Sequence, residues 1–214
     1  MQNPSPEKTG DLPVDEVCAA FAAGTAGARV AAKEWLVAWA IEHMRVGASR
    51  MLRGFPRVRR WDETDDVLQE AAIRLSRALD AAPPSDGRRL LGLMALQVRR
   101  ELLDLARKYG GEESFAKHHD TNVLQADGQE FLKVDCAIDP HHGQSDDMEG
   151  WTRLHDVASR LGEEDRELFN LVWYLGLRQE DAARVLGCSV RTVARRWELT
   201  KRHLLERLAG QEPA

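Results

Sequence analysis

Residues 184–197 read RVLGCSVRTVARRW. An apolar helix end meets a glycine, a cysteine and a serine, and a second helix studded with arginine follows. Two helices that cross at a fixed angle need small residues at their contact, a tight turn and an apolar inner face on the second helix. Ala182 and Ala183 supply the contact, Gly187 the turn, and Ser189 an N-cap for the next helix. Val190, Val193, Trp197 and Leu204 fall at helical spacing and are expected to face inward. Arg191, Thr192, Arg195, Arg196, Glu198, Leu199 and Arg202 are then turned outward. The pattern predicts a helix-turn-helix. Arginine near the start of such a helix can bond guanine edges in two-pronged fashion, and basic residues further along, Lys201 and Arg202, reach phosphate. A charge run alone is most often a solvated helix face. The turn and the small-residue contact favour DNA binding here.

Outward from this stretch the periodicity stays helical. Helices are expected at about 150–161 (Trp151, Leu154, Val157, Leu161), at 163–175 closed by Gly176, at 178–186 and at 190–208. Before them, residues 111–150 hold ten acidic residues against two lysines and show little periodicity. The reading is a flexible acidic linker over 111–149. The N-terminal part begins with a polar, Pro-containing tail, 1–13. Helical apolar spacing over 14–53 follows: Val14, Val17 and Phe21, then Val30, Trp35, Leu36, Trp39, Ala40 and Met44, with the Trp and Leu stripe of 35–44 expected in the core. Gly54 and Pro56 break that pattern. A strongly amphipathic helix is expected at about 63–80, with Val67, Leu68, Ala71, Leu75 and Leu79 on one stripe and an acidic first turn. AAPPSDG at 81–87 is a loop, and 88–109 is a long helix ended by Gly110 and Gly111.

The fold class is therefore all-α: two small helical domains, 14–110 and 150–210, joined by the linker. Strand-favouring runs are scarce, while Ala, Leu, Arg and Glu dominate. No apolar run has membrane-spanning length, the start of the chain lacks a signal-peptide layout, and the three cysteines suggest no disulfide framework. A cytoplasmic protein is expected. The net charge of −5 is segregated: the linker carries −8, whereas 44–60 has six arginines and no acid. His118, His119, Cys136, His141 and His142 fit no standard zinc-ligand frame. No phosphate loop, nucleophile–base pair or carboxylate cleft is visible, so neither a metal, a cofactor nor enzymatic activity is expected.

Two stretches of the N-terminal half carry a resemblance. DDVLQEAAIRLSRAL at 65–79, followed by VRRELLDLARKYGG at 98–111, resembles the extracytoplasmic-function (ECF) sigma factors of bacteria. The form of the second stretch looks like a divergent, planctomycete-type branch. The C-terminal LGEEDRELFNLVWYLGLRQEDAARVLGCSVRTVARRWELTKRHLLERL is similar to sigma region 4, as the 14–110 part is to sigma region 2. The likeness spans about 35–110 and 150–208, in the family's order.

The resemblance implies a promoter-specificity subunit of RNA polymerase. Core polymerase is the implied partner, through its β′ coiled coil and β flap, together with promoter DNA at the minus-ten and minus-thirty-five elements; whether an anti-sigma protein also binds is left open by the sequence. Asp65, Asp66, Gln69, Glu70 and Arg74 fall on the polymerase-docking helix and lie off its apolar stripe. The acids among them serve equally as helix caps. PPSDGRR at 83–89 matches the loop that holds a flipped base, so Ser85, Arg88 and Arg89, with Arg99 and Arg100 on the same helix, are candidate DNA contacts. Arg191, Thr192, Arg195, Arg196, Lys201 and Arg202 join them from the C-terminal half. The sequence departs from the family in one respect: 83–108 holds no aromatic residue to stack on unpaired bases, and Leu90, Leu91, Leu93 and Met94 stand there as candidate apolar wedges. Two other readings compete. One is a conventional helix-turn-helix regulator that binds DNA without polymerase; the other is a polymerase- or sigma-binding protein without initiation activity.

Overall fold

Eight α-helices and one π-helical turn make up the described residues 14–53, 64–110 and 148–210 of the computed structural model, and no strand occurs among them. The tail 1–13, the break after Arg53, the acidic linker up to residue 147 and its histidines lie outside the described residues.

Helix α1 (Val14–Ala23) buries Val14, Cys18 and Phe21, spaced by four and three, against α2 (Ala26–Arg53). Burial pushes the Cys18 thiol up to about 11, so it packs as a small apolar group. At 28 residues α2 is about 42 Å long. Its core stripe is Leu36, Ala40, Met44, Ala48 and Met51. Trp35, beside that stripe, departs from expectation, whereas Trp39 is half-buried against the core. Trp35 is 37 % exposed because it sits about a quarter turn off the Leu36–Ala40–Met44 line, and Val30, farther round the helix, is 58 % exposed. Trp35, Trp39 and His43, four apart, instead stack on one another along the helix flank.

Helix α3 (Thr64–Ala81) lies between α2 and α4 (Gly87–Gly110) and buries Val67, Leu68, Ala71, Ala72, Leu75 and Leu79. Asp86 stops the intervening loop and starts α4: its Oδ1 accepts from the Arg89 N–H at 2.8 Å. Asp15 of α1 accepts from the Gly87 N–H at 2.6 Å, tying the same helix start to the far end of the chain's first helix. Both carboxylates sit where the helix dipole favours negative charge.

The C-terminal half comprises α5 (Met148–Ser159), α6 (Glu163–Phe169), a π-turn (Asn170–Tyr174), α7 (Gln179–Leu186) and α8 (Val190–Leu208). The sequence leads one to expect a single helix over 163–175; after Phe169 it widens, with the Leu175 N–H donating to the Asn170 carbonyl, five residues back. The widened turn packs Leu171, Val172, Trp173 and Tyr174 inward together. Gly176, at φ +68°, then reverses the chain, and the Leu177 N–H closes the turn on the Leu171 carbonyl at 3.0 Å.

The two halves meet. α4 packs against both α5 and the π-turn, α2 also touches the π-turn, and one continuous buried core runs through both halves. At the junction the His155 Nδ1 and the Tyr174 hydroxyl share a hydrogen bond, and Arg99 of α4 donates to the His155 carbonyl at 3.2 Å. Burial, with the Arg99 charge adding to it, lowers the His155 pKa from 6.5 to about 3. His155 is therefore a neutral core residue.

Candidate nucleic-acid and partner interface

α7 and α8 are joined by three residues whose geometry follows from their chemistry. Gly187 takes the left-handed conformation, φ +66°, and the Cys188 N–H bonds back to the Ala183 carbonyl at 3.0 Å. The Ser189 side chain accepts from the Thr192 N–H at 3.1 Å and so caps α8. Ala182 and Ala183 are buried, as are Val193, Trp197 and Leu204 of α8. Trp197 lies 6.0 Å from the Phe169 ring, which fixes α8 on α6. Val190, expected inward, stands 44 % exposed at the first position of the helix.

Of the six candidate DNA contacts on α8, three project from it. Arg191, Arg195 and Arg202 are exposed, and with Leu199 (52 % exposed) they form one stripe about 16 Å long. The other three are engaged. Arg196 donates to Glu164 at 2.6 Å and Asp165 at 3.2 Å, which ties it to α6. Thr192 shares a 2.8 Å contact with the Ser189 hydroxyl at the cap. Lys201, expected to contact DNA, is 5 % exposed and paired with Glu198 at 2.6 Å. It stands four residues after Trp197 on the buried stripe, where a lysine stem packs and only the ammonium seeks a partner.

The candidates around α4 also divide. Ser85, Arg89 and Arg100 are exposed. The Ser85 hydroxyl donates to Asp86 at 2.6 Å, which, with the Arg89 N–H, holds the Asp86 carboxyl below its usual value. Arg88 is exposed too, but both its hydrogen bonds go to the carboxylate oxygens of Glu167 in the C-terminal half, at 2.5 and 2.6 Å, while the half-buried Arg99 donates to the His155 carbonyl. The expected apolar wedges are absent from the surface. Leu90, Leu91 and Met94 are buried, and only Leu93 is half-buried, because 90, 91, 94 and 98 form the core stripe of α4.

On α3, Asp65, Asp66, Gln69 and Glu70 are exposed, as their position off the stripe requires. Asp65 pairs with Arg45 of α2 at 2.6 Å. Arg74 is half-buried between Glu101 (3.1 Å) and Asp104 (2.7 Å) of α4, so it braces α3 on α4 rather than projecting with the others. Beside Gln69 lies an apolar groove of about 510 Å³ between α2 and α3, lined by Val37, Ile41, Leu68, Ala72 and Ile73. The sequence reading missed this groove. Its one legible signal is Ile73, an isoleucine four residues after Gln69 on the polar side of α3.

A second missed group lies between the halves. Arg50 donates to the carbonyls of Val172 (2.9 Å) and Trp173, with its guanidinium 5.4 Å from the centre of a Trp173 ring. Gly47 allows the contact. A Cβ there would lie 1.8 Å from the Tyr174 carbonyl oxygen. In sequence Arg50 belongs to the arginine-rich run and carries no sign of an intramolecular partner.

The family model described as ECF sigma factor matches residues 16–210. No curated protein and no solved structure matches the chain.

Proposed function

Because the chain belongs to the ECF sigma factor family, with RNA polymerase and promoter DNA as the partners that membership implies, we propose that it reads both promoter elements. In this reading α3 docks on the β′ coiled coil through Gln69 and Glu70, with Asp65, Asp66 and the Ile73 groove beside them. α4 and the loop before it meet the minus-ten element. The helix-turn-helix of α7 and α8, set near the β flap, meets the minus-thirty-five element through Arg191 and Arg195, with Arg202 on phosphate. The chain works in the cytoplasm as a subunit and catalyses nothing itself. Among the described residues no helix is long and apolar enough to cross a membrane.

The observation that carries this reading is the serine-capped α8 behind a left-handed glycine turn, presenting Arg191, Arg195 and Arg202 on one exposed stripe. Run-off transcription with purified core polymerase on genomic fragments, the chain's own upstream region included, tests it. Transcripts that start only when the protein is added support it. No transcript from any fragment, with tight sequence-specific DNA binding by the free protein, favours the conventional regulator.

One observation favours a second reading. With Leu90, Leu91 and Met94 in the core and no aromatic residue in 83–108, α4 offers little to wedge or stack on bases. A protein that binds polymerase without opening DNA would co-purify with core yet support no run-off product.

A further inference from the structure

The engaged side chains of α8 limit what that helix can read by hydrogen bonding. Arg196 is tied to Glu164 and Asp165, Lys201 is buried against Glu198, and the Thr192 hydroxyl is held at the cap. Past Arg195 the outward stripe therefore continues with Leu199 and Arg202. Leu199 is 52 % exposed. Arg195 precedes it by four positions and Arg202 follows it by three, so both are its neighbours on the helix surface.

An exposed leucine by itself is ordinary. The place of this one is not. It stands between two exposed arginines, and a duplex gripped by both would press on the leucine and strip water from it. With neither donor nor acceptor, Leu199 cannot report on the polar edge of a base. One group in the major groove is apolar, the 5-methyl of thymine, and it distinguishes an A·T pair from G·C without a hydrogen bond. That methyl stands out from the base edge into the groove, where a side chain shorter than arginine reaches it.

The register follows from the helix. Arg195 and Leu199 are about 6 Å apart along the α8 axis, or about two base-pair steps when the helix lies along the groove. Arg191 lies one turn further back. The stripe then offers hydrogen bonds from Arg191 and Arg195, an apolar contact from Leu199, and a phosphate contact from Arg202.

We propose that Leu199 is a specificity-determining residue that reads a thymine methyl in the upstream promoter element, about two base pairs from the one Arg195 reads. This rests on the reading of α8 as the recognition helix of a sigma factor. It adds the kind of base feature recognised at the far end of that helix, and where in the element it falls.

The test uses holoenzyme formed from the full-length protein and purified core polymerase, on a promoter that gives run-off product. Each thymine of its upstream element, on either strand, is replaced in turn by deoxyuridine, which loses the methyl and keeps the base pairing. With wild type, one position should respond, its run-off rate falling about fourfold, equivalent to about 0.8 kcal/mol for one buried carbon. With Leu199→Ala the unmodified promoter should fall by a similar factor, and thymine and uracil at that position should then be equivalent. The Arg195 base pair, located by Arg195→Ala on a panel of substituted promoters, should lie about two positions away. Leu199→Ala should keep its helix content by circular dichroism, because the side chain is exposed and alanine favours helix; a loss would mark a structural leucine and overturn the proposal. It is also overturned if no deoxyuridine slows wild type, or if the sensitive position stays sensitive in Leu199→Ala. Failure of the sigma reading looks different: no unmodified template would then give product with wild type, and both readings would fall together.

Discussion

Lowering the pH should loosen this protein through one buried side chain, His155. Its ring lies in the core against Tyr174, with the Arg99 guanidinium close enough to disfavour a second positive charge. Burial and that charge lower its pKa from 6.5 to about 3, so the folded protein binds fewer protons than the unfolded chain across that interval. Stability is whole above about pH 6.5 and is lost as the pH falls toward 3. Each pH unit in this window costs about 1.4 kcal/mol, so a sample at about pH 5 should be about 2 kcal/mol less stable than one near neutrality on this account alone. Carboxylates and other histidines titrate too, and a variant separates them. His155→Gln keeps a polar group for the Tyr174 hydroxyl and cannot titrate. Urea midpoints followed by tryptophan fluorescence, taken near neutral pH and at about pH 5, give the two losses. Wild type should lose about 2 kcal/mol more than His155→Gln over the same step. Parallel losses in the two proteins would refute a buried, neutral His155.

Replacing Gln69 and Glu70, both with Lys, should abolish co-purification with core polymerase while leaving helix content unchanged, since both side chains are exposed on α3; retained binding would remove this face from the docking surface. Arg191→Ala or Arg195→Ala should cost about 1–3 kcal/mol at particular upstream base pairs, whereas Arg202→Ala should weaken all templates alike. A panel of mutant promoters checks this, and identical behaviour of the two classes would mean that the α8 stripe faces DNA differently. Trp197→Ala, at 1 % exposure and packed on Phe169, should lower stability by about 3 kcal/mol or more in urea unfolding.

Local physics made much of the molecule legible from its sequence. Helix spacing marked α3, α4 and α8 to within a residue or two, and Gly187 and Ser189 marked the turn between α7 and α8, because period, caps and left-handed glycines act over a few neighbours. The exposed set on α3 and the Arg191–Arg195–Arg202 stripe follow from the same spacing. What the tertiary structure decided lies where partners are remote in sequence. Arg88 meets Glu167 across 79 positions, Arg196 meets Glu164 across 32, and Arg50 meets the π-turn across more than 120. No periodicity encodes such pairs. Periodicity also names a face without saying what covers it: the flank of α2 leaves Trp35 37 % exposed, while the inner stripe of α8 takes in Lys201. An arginine alone on a helix reads the same whether it will meet phosphate or a carboxylate from the other half. Only the packing of α4 and α2 on the π-turn distinguishes the two, because the free energy of an ion pair depends on distance and burial, which are properties of the folded whole.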